Sequence, residues 1–338
     1  MTMIRGWAVH APNQKLELYT FDAGPLGSEE VEIEVEHCGI CHADLSMIKN
    51  AWGMAQYPLV PGHEVVGKIS AVGSHAKNLH IGQRVGIGWN AASCMHCHEC
   101  MTGQHNLCAK AAPTIVGRQG GYADKIRTHW AWAIPLPQKL ESADIGPLMC
   151  AGIAVFAPLH VYAIKPTDHV GIIGVGGLGH LGIKFANAWG CEVTALTSQP
   201  EKAEDAHLFG AHRVVSSRDS TVLSSLANSL DLLLVTSDVA LDWQTYMKTL
   251  KPNGRLHMLG AVLEPLSISA LDLIFGQKNV SGSPTGSPSM LSAMLEFAAR
   301  HAIKPKVEHF PMSKVNEALA HLEQGRVRYR IVLDNDFN

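Results

Sequence analysis

The chain has 338 residues, 46% of them hydrophobic and 17% charged, with a formal net charge of −3. Its basic residues are scattered, which argues against a nucleic-acid surface, and no apolar stretch reaches the ~18 residues of a membrane span. The N-terminus lacks an apolar signal core, so the expected compartment is the cytosol, where thiols stay reduced and the eight cysteines are metal ligands before they are disulfides. A chain of this length predicts about two domains.

The first ~148 residues predict a β-rich unit with short helices. Val31-Glu32-Ile33-Glu34-Val35 alternates as a half-buried strand does, and Pro61-Gly62, Gly82, Gly86-Ile87-Gly88 and Gly120-Gly121 punctuate it with turns. Within this unit Cys94, Cys97, Cys100 and Cys108 follow the pattern C-x2-C-x2-C-x7-C. Four thiolates at that spacing can close around one tetrahedral zinc ion and stabilise a loop with little core of its own. No βαβ context supports a redox role for Cys97-x-x-Cys100, and only Lys110 and Arg118 lie near, too few for a nucleic-acid module. The expectation is a structural zinc.

A second set of ligand types, Cys41, His63 with Glu64, and Cys150, is spread along the chain. Such ligands suit an incomplete coordination sphere that leaves a position for substrate. Cys38 and Cys191 read as plain buried thiols.

From about Asp144 short apolar strands alternate with helical patterns: 169–173, 192–196, 212–215, 232–235, 255–259 and one near Val280. That alternation predicts βαβ units and a doubly wound parallel sheet. Gly174-Val175-Gly176-Gly177-Leu178-Gly179 follows the first of these strands and opens the predicted helix 178–189. In that context glycines let backbone approach a pyrophosphate seated at a helix N-terminus. NAD enzymes place a carboxylate at the end of the next strand. Here that strand ends Ala195-Leu196-Thr197-Ser198-Gln199-Pro200-Glu201-Lys202, with Glu201 expected past the turn. Hydroxyls at Thr197 and Ser198 with Lys202 suit a 2′-phosphate, so NADP(H) is the expected cofactor. A helix over 290–300 and a strand over 330–334 complete the chain.

Gly39-Ile40-Cys41-His42-Ala43-Asp44, Pro61-Gly62-His63-Glu64-Val65-Val66-Gly67 and Leu148-Met149-Cys150-Ala151-Gly152 resemble motifs of the zinc-containing medium-chain alcohol dehydrogenases. The four-cysteine lobe fits the same family, and the likeness runs to Val327–Leu333. It is strongest to the cinnamyl-alcohol-dehydrogenase-like branch and, within that, to bacterial NADPH-dependent broad-range aldehyde reductases. The resemblance implies a GroES-like domain, 1–148 plus 285–338, around a Rossmann domain, 149–284, with the active site in a cleft between them. It implies two zinc ions per chain, the catalytic one on Cys41, His63 and Cys150 with Glu64 able to enter transiently, and Asp44 orienting His63. His42 and Arg330 match positions that approach the pyrophosphate. Trp52, Trp89, Pro284 and Thr285 match substrate-pocket positions, and a homodimer is the family's common assembly.

One departure stands out. The family usually has Ser or Thr where this chain has Ala43, and alanine can neither donate nor accept the relayed proton. The expected reaction is interconversion of primary alcohols and aldehydes. Its alternatives are a secondary-alcohol or polyol dehydrogenase, a relay-impaired enzyme of low activity, and a catalytically dead zinc- and nucleotide-binding protein.

Overall fold

The structure, a computed structural model, describes residues 2–140 and 143–337. It divides into two compact units, one taking the chain up to Cys150 and again from Thr285, the other Ala151–Pro284. Met149 and Cys150 thus fall with the first unit.

The first unit is built on a seven-stranded sheet. Its path runs Val307–Pro311, Arg330–Asp334, Glu30–Ile40, Glu64–Val72, Arg84–Ile87 and Ile134–Pro135, and Lys125–His129 also pairs with Glu30–Ile40. All these pairings are antiparallel except Val307–Pro311 with Arg330–Asp334. The C-terminal strand therefore closes against the longest strand of the N-terminal half. Val31, Ile33, Val35, Ile69, Val85 and Ile126 fill the core beneath. Fully burying each such side chain contributes about 1.5–3 kcal/mol. Glu32 departs from the predicted alternation, being only 5% exposed. Its register partner Arg127 explains this: the Arg127 Nε and Nη2 atoms donate to Glu32 Oε2 at 3.0 and 2.9 Å, and Lys125 Nζ donates to Oε1 at 3.1 Å. A carboxylate so satisfied can be buried.

The second unit is a six-stranded sheet in the order Arg213–Ser216, Glu192–Thr197, His169–Ile173, Leu230–Val235, Leu250–Met258, Asn279–Gly282. Every pairing is parallel. The order reverses between His169–Ile173 and Leu230–Val235, the switch point at which such sheets bind nucleotides. Leu232, Leu233, Leu234 and Val235 are all fully buried, as the continuous apolar runs of a sheet covered on both faces require. Cys38 and Cys191 are buried thiols. Among the described residues no helix is long and apolar enough to cross a membrane.

Candidate active site

Two adjacent strands and one turn deliver the dispersed ligands. Glu30–Ile40 runs between Glu64–Val72, with Gly39 opposite Glu64, and Arg330–Asp334, with Ile40 opposite Ile331. Cys41 follows immediately and stands at the N-terminus of the helix His42–Ile48. Cys150 ends the turn Gly146–Met149. Ligand atoms of Cys41, His63, Glu64 and Cys150 all lie within 4.8 Å of one another.

The spacings suit a tetrahedral zinc ion. Bond lengths of ~2.3 Å to sulfur and ~2.0 Å to nitrogen imply separations of roughly 3.8 Å between sulfurs and roughly 3.6 Å between sulfur and nitrogen. Cys150 Sγ lies 4.0 Å from Cys41 Sγ and 3.3 Å from His63 Nε2. Burial is complete for His63 and Glu64, and Cys41 is 7% exposed.

Asp44 holds this set in place. Its Oδ1 lies 3.0 Å from His63 Nδ1 and accepts from the Gly62 amide at 3.0 Å, while Oδ2 accepts from the Cys41 amide at 2.9 Å. One buried carboxylate thereby fixes the His63 ring, aims its Nε2 at the thiols and ties two ligand segments together. Burial opposes charge on His63, but the facing Asp44 carboxylate prevails and lifts the imidazole above its ordinary value.

The sequence reading missed a buried ion pair here. Arg330, expected beside a pyrophosphate, is only 3% exposed, and its guanidinium Nη2 donates to Glu64 Oε1. A Cβ at Gly39 would come within 2.0 Å of Glu64 Oε2, so the strand between the two residues carries no side chain where they meet. Glu64 Oε2 has no hydrogen-bond partner, which leaves an oxygen free for an ion. Burial pushes the Glu64 carboxyl up, against Arg330. The glycine at position 39 was the one sequence signal for this contact.

Two tryptophans lie over the ligands. The Trp89 ring meets His63 edge-on, centroids 5.2 Å apart, and Trp52 meets Trp89 at 6.1 Å. Ala43 is half-buried and His42 exposed on the same short helix. Thr285 is buried, and its carbonyl lies 3.5 Å from Nδ2 of Asn106 in the four-cysteine lobe; Pro284 is exposed.

In the lobe, ligand atoms of Cys94, Cys97, Cys100 and Cys108 also fall within 4.8 Å of one another. The Cys97 amide donates to Cys94 Sγ and the Lys110 amide to Cys108 Sγ, each at 3.3 Å. Amide donors at sulfur stabilise thiolates, so the donor set fits zinc.

The glycine turn of the second unit divides by cause. Gly174 has φ +91°, and a Cβ on Gly179 would sit 1.7 Å from the Gly174 carbonyl, so both are dictated by strand–helix packing. At Gly176 a Cβ would meet nothing within 4 Å. The protein itself does not require glycine there, whereas close approach of a pyrophosphate does. Gly177 and Leu178 complete the turn, and the helix Gly179–Trp189 follows. Thr197 is buried with its hydroxyl accepting from the Gln199 amide at 3.1 Å, Ser198 is exposed, and Lys202 ends the turn Pro200–Lys202 that holds Glu201.

Comparison with known proteins agrees with this geometry. Residues 27–138 match the alcohol dehydrogenase GroES-like domain and residues 177–300 the zinc-binding dehydrogenase domain. The chain is 47% identical over 336 residues to the aldehyde reductase AdhA of Synechocystis sp. (strain ATCC 27184 / PCC 6803 / Kazusa), covering 99% of this chain and 100% of that one. Among solved structures it is similar to the cinnamyl alcohol dehydrogenase SbCAD4 of Sorghum bicolor, at a TM-score of 0.95 and 36% identity with 98% of each chain covered. It also resembles the cinnamyl alcohol dehydrogenase of Helicobacter pylori complexed with NADP(H), at 0.90 and 28% with the same coverage. The chain belongs to the zinc-containing medium-chain alcohol dehydrogenases, in the branch of the cinnamyl alcohol dehydrogenases.

Proposed function

We propose that this protein is an NADP(H)-dependent zinc alcohol dehydrogenase that reduces aldehydes to primary alcohols: aldehyde, NADPH and one proton give alcohol and NADP⁺. The observation that carries the reading is a three-ligand thiolate–imidazole set with tetrahedral spacing. Zinc, when bound, supplies a Lewis acid, and NADP(H) the hydride. Cys41, His63 and Cys150 would hold the ion, Asp44 would keep His63 aimed, and Glu64 would offer its unpartnered oxygen. Trp52 and Trp89 would give an apolar wall that favours an aromatic or aliphatic aldehyde over a polyol. Gly176 supports pyrophosphate binding, and the absence of a carboxylate among Thr197, Ser198 and Gln199 supports NADP(H). Substrate-panel rates with NADPH and NADH, run beside zinc quantification, test the reading. Two zinc ions per chain and NADPH-driven aldehyde reduction are expected, whereas preferential oxidation of polyols or ketone reduction would replace it.

Proton delivery sets this chain apart. Ala43 offers no hydroxyl, so water at this half-buried position would protonate the product. Positioned proton transfer contributes ~10²–10⁴-fold, of which water recovers part. Ala43→Ser should therefore raise kcat for aldehyde reduction; an unchanged or lower kcat would dispose of the argument.

A homodimer is part of the proposal. Asn279–Gly282 is the outer strand of its sheet, and the neighbouring segment exposes Leu271, Ile274 and Phe275, the last by 84%. An open strand edge beside exposed apolar side chains favours pairing with a second copy. Light scattering of the wild type and of Phe275→Glu reads the assembly, with monomer expected only for the variant.

A further inference from the structure

We infer that Arg218, in the loop after the strand Arg213–Ser216, is a second cation for the 2′-phosphate of the dinucleotide, acting with Lys202. The inference rests on the NADP(H) reading and adds a residue to it. The strands 192–197 and 213–216 are parallel neighbours with Thr197 level with Ser216, and the pairing extends one step further because the Ser217 amide donates to the Thr197 carbonyl at 2.9 Å. Arg218 therefore leaves its strand beside the point where Ser198 leaves the other, about one strand spacing (~4.8 Å) away. That point follows the second strand of the nucleotide-binding half, where the ribose 2′ position is read.

The loop is held by its own bonds. The Ser217 carbonyl accepts from Tyr246 Oη at 3.0 Å, and the Arg218 amide donates to Ser216 Oγ at 3.2 Å. The guanidinium is not consumed elsewhere: Arg218 is exposed, and no carboxylate among the described residues is ion-paired to it. The adjacent Asp219 is committed to the next helix, its Oδ1 accepting from the amides of Thr221 and Val222 at 2.9 and 3.1 Å. Glu201, the other nearby carboxylate, is exposed within the turn Pro200–Lys202. The loops following two neighbouring strands thus carry one cation each, Lys202 and Arg218, and the first of them begins with the hydroxyl of Ser198. A phosphomonoester is what that combination recognises, and the planar fork of arginine adds two parallel hydrogen bonds that lysine cannot.

The test is cofactor preference in the zinc-loaded full chain. Arg218→Ala should lower the ratio of kcat/KM for NADPH over NADH by about 10-fold or more, through KM for NADPH, and should weaken 2′,5′-ADP binding by a similar factor without weakening ADP. Arg218→Lys should recover part of the loss. A wild type that prefers NADPH together with an Arg218→Ala variant of unchanged preference would overturn the assignment while leaving the NADP(H) reading standing. A wild type that prefers NADH would overturn both.

Discussion

The four-cysteine lobe and the Cys41–His63–Cys150 set use nearly the same donors but are assembled in opposite ways. The lobe draws its ligands from residues 94–108, around two short helical turns. The other set joins residues 109 apart in sequence through the ends of two paired strands and a turn, supported by a carboxylate clamp and a buried ion pair. A short loop has little besides the ion to hold it, so its order depends on metal. The dispersed ligands are held by a sheet whose core exists without them. The lobe should lose its structure when the ion is lost; the sheet-borne site should lose only its chemistry.

The largest effect would break the comparison outright. His63→Ala should lower aldehyde reduction by about 10³-fold or more, leave one zinc per chain and keep the 94–108 segment resistant to protease. Cys100→Ser should leave the other zinc and make the lobe protease-sensitive. Metal analysis with limited proteolysis reads both, and loss of both ions from either variant would show that the sites are not independent.

The ion pair sharpens the comparison next, because the lobe has no counterpart to it. Arg330→Met leaves Glu64 buried without its cation and should cost about 3–5 kcal/mol of stability. Combining it with Glu64→Gln should restore much of that loss, as chemical denaturation of both variants would reveal. A single variant as stable as wild type would mean that Glu64 is neutralised by other means.

Asp44→Asn comes third. Amide replacement keeps the shape but withdraws the charge facing His63, and such outer-shell changes cost 10–100-fold in metal affinity or activity. Chelator competition, monitored by the rate of zinc release, should show the loss at this site alone, with the lobe ion unaffected.

The same contrast explains what was legible in the sequence. The lobe could be read from spacing alone, because its ligands are neighbours in the chain. Cys41, His63 and Cys150 were readable as ligand types, but their convergence was reached through family motifs, since no local pattern encodes which strands become adjacent. The Rossmann strands followed from alternation, 169–173 with the expected bounds, and 330–334 of the first unit also has them. Two carboxylates have partners that no local pattern announces. Glu32 stands at an outward position of a period-two strand, and Glu64 was expected to enter the zinc coordination sphere transiently. Each is bonded by an arginine, Glu32 across one strand pairing and Glu64 across an intervening strand, at 95 and 266 residues' separation, and such a partner leaves no periodic trace. Family resemblance set Arg330 near the pyrophosphate, and in the structure its guanidinium also bonds the Glu64 carboxylate.

A smaller effect extends the comparison to two buried histidines. His63 faces a carboxylate, whereas His257, fully buried in the second unit, bonds only to hydroxyls: Ser281 Oγ at 2.9 Å from Nδ1 and Ser283 Oγ at 2.9 Å from Nε2. Hydroxyls satisfy a neutral imidazole but do not compensate its charge. Burial, aided by Arg255 stacked on the neighbouring Tyr162 ring, pulls His257 down to about 4. In the unfolded chain this histidine would titrate near its ordinary ~6.5. Between those values the unfolded state binds the extra proton, so His257 leaves stability intact above pH ~6.5 and erodes it progressively as pH falls toward 4. Replacing it with glutamine, which can still reach one hydroxyl, should flatten the pH dependence of stability in that window by up to one proton while costing some stability at neutral pH. Urea midpoints of both proteins across the window measure the slope. Equal slopes would place the proton elsewhere, on His169 or His129, which burial also lowers.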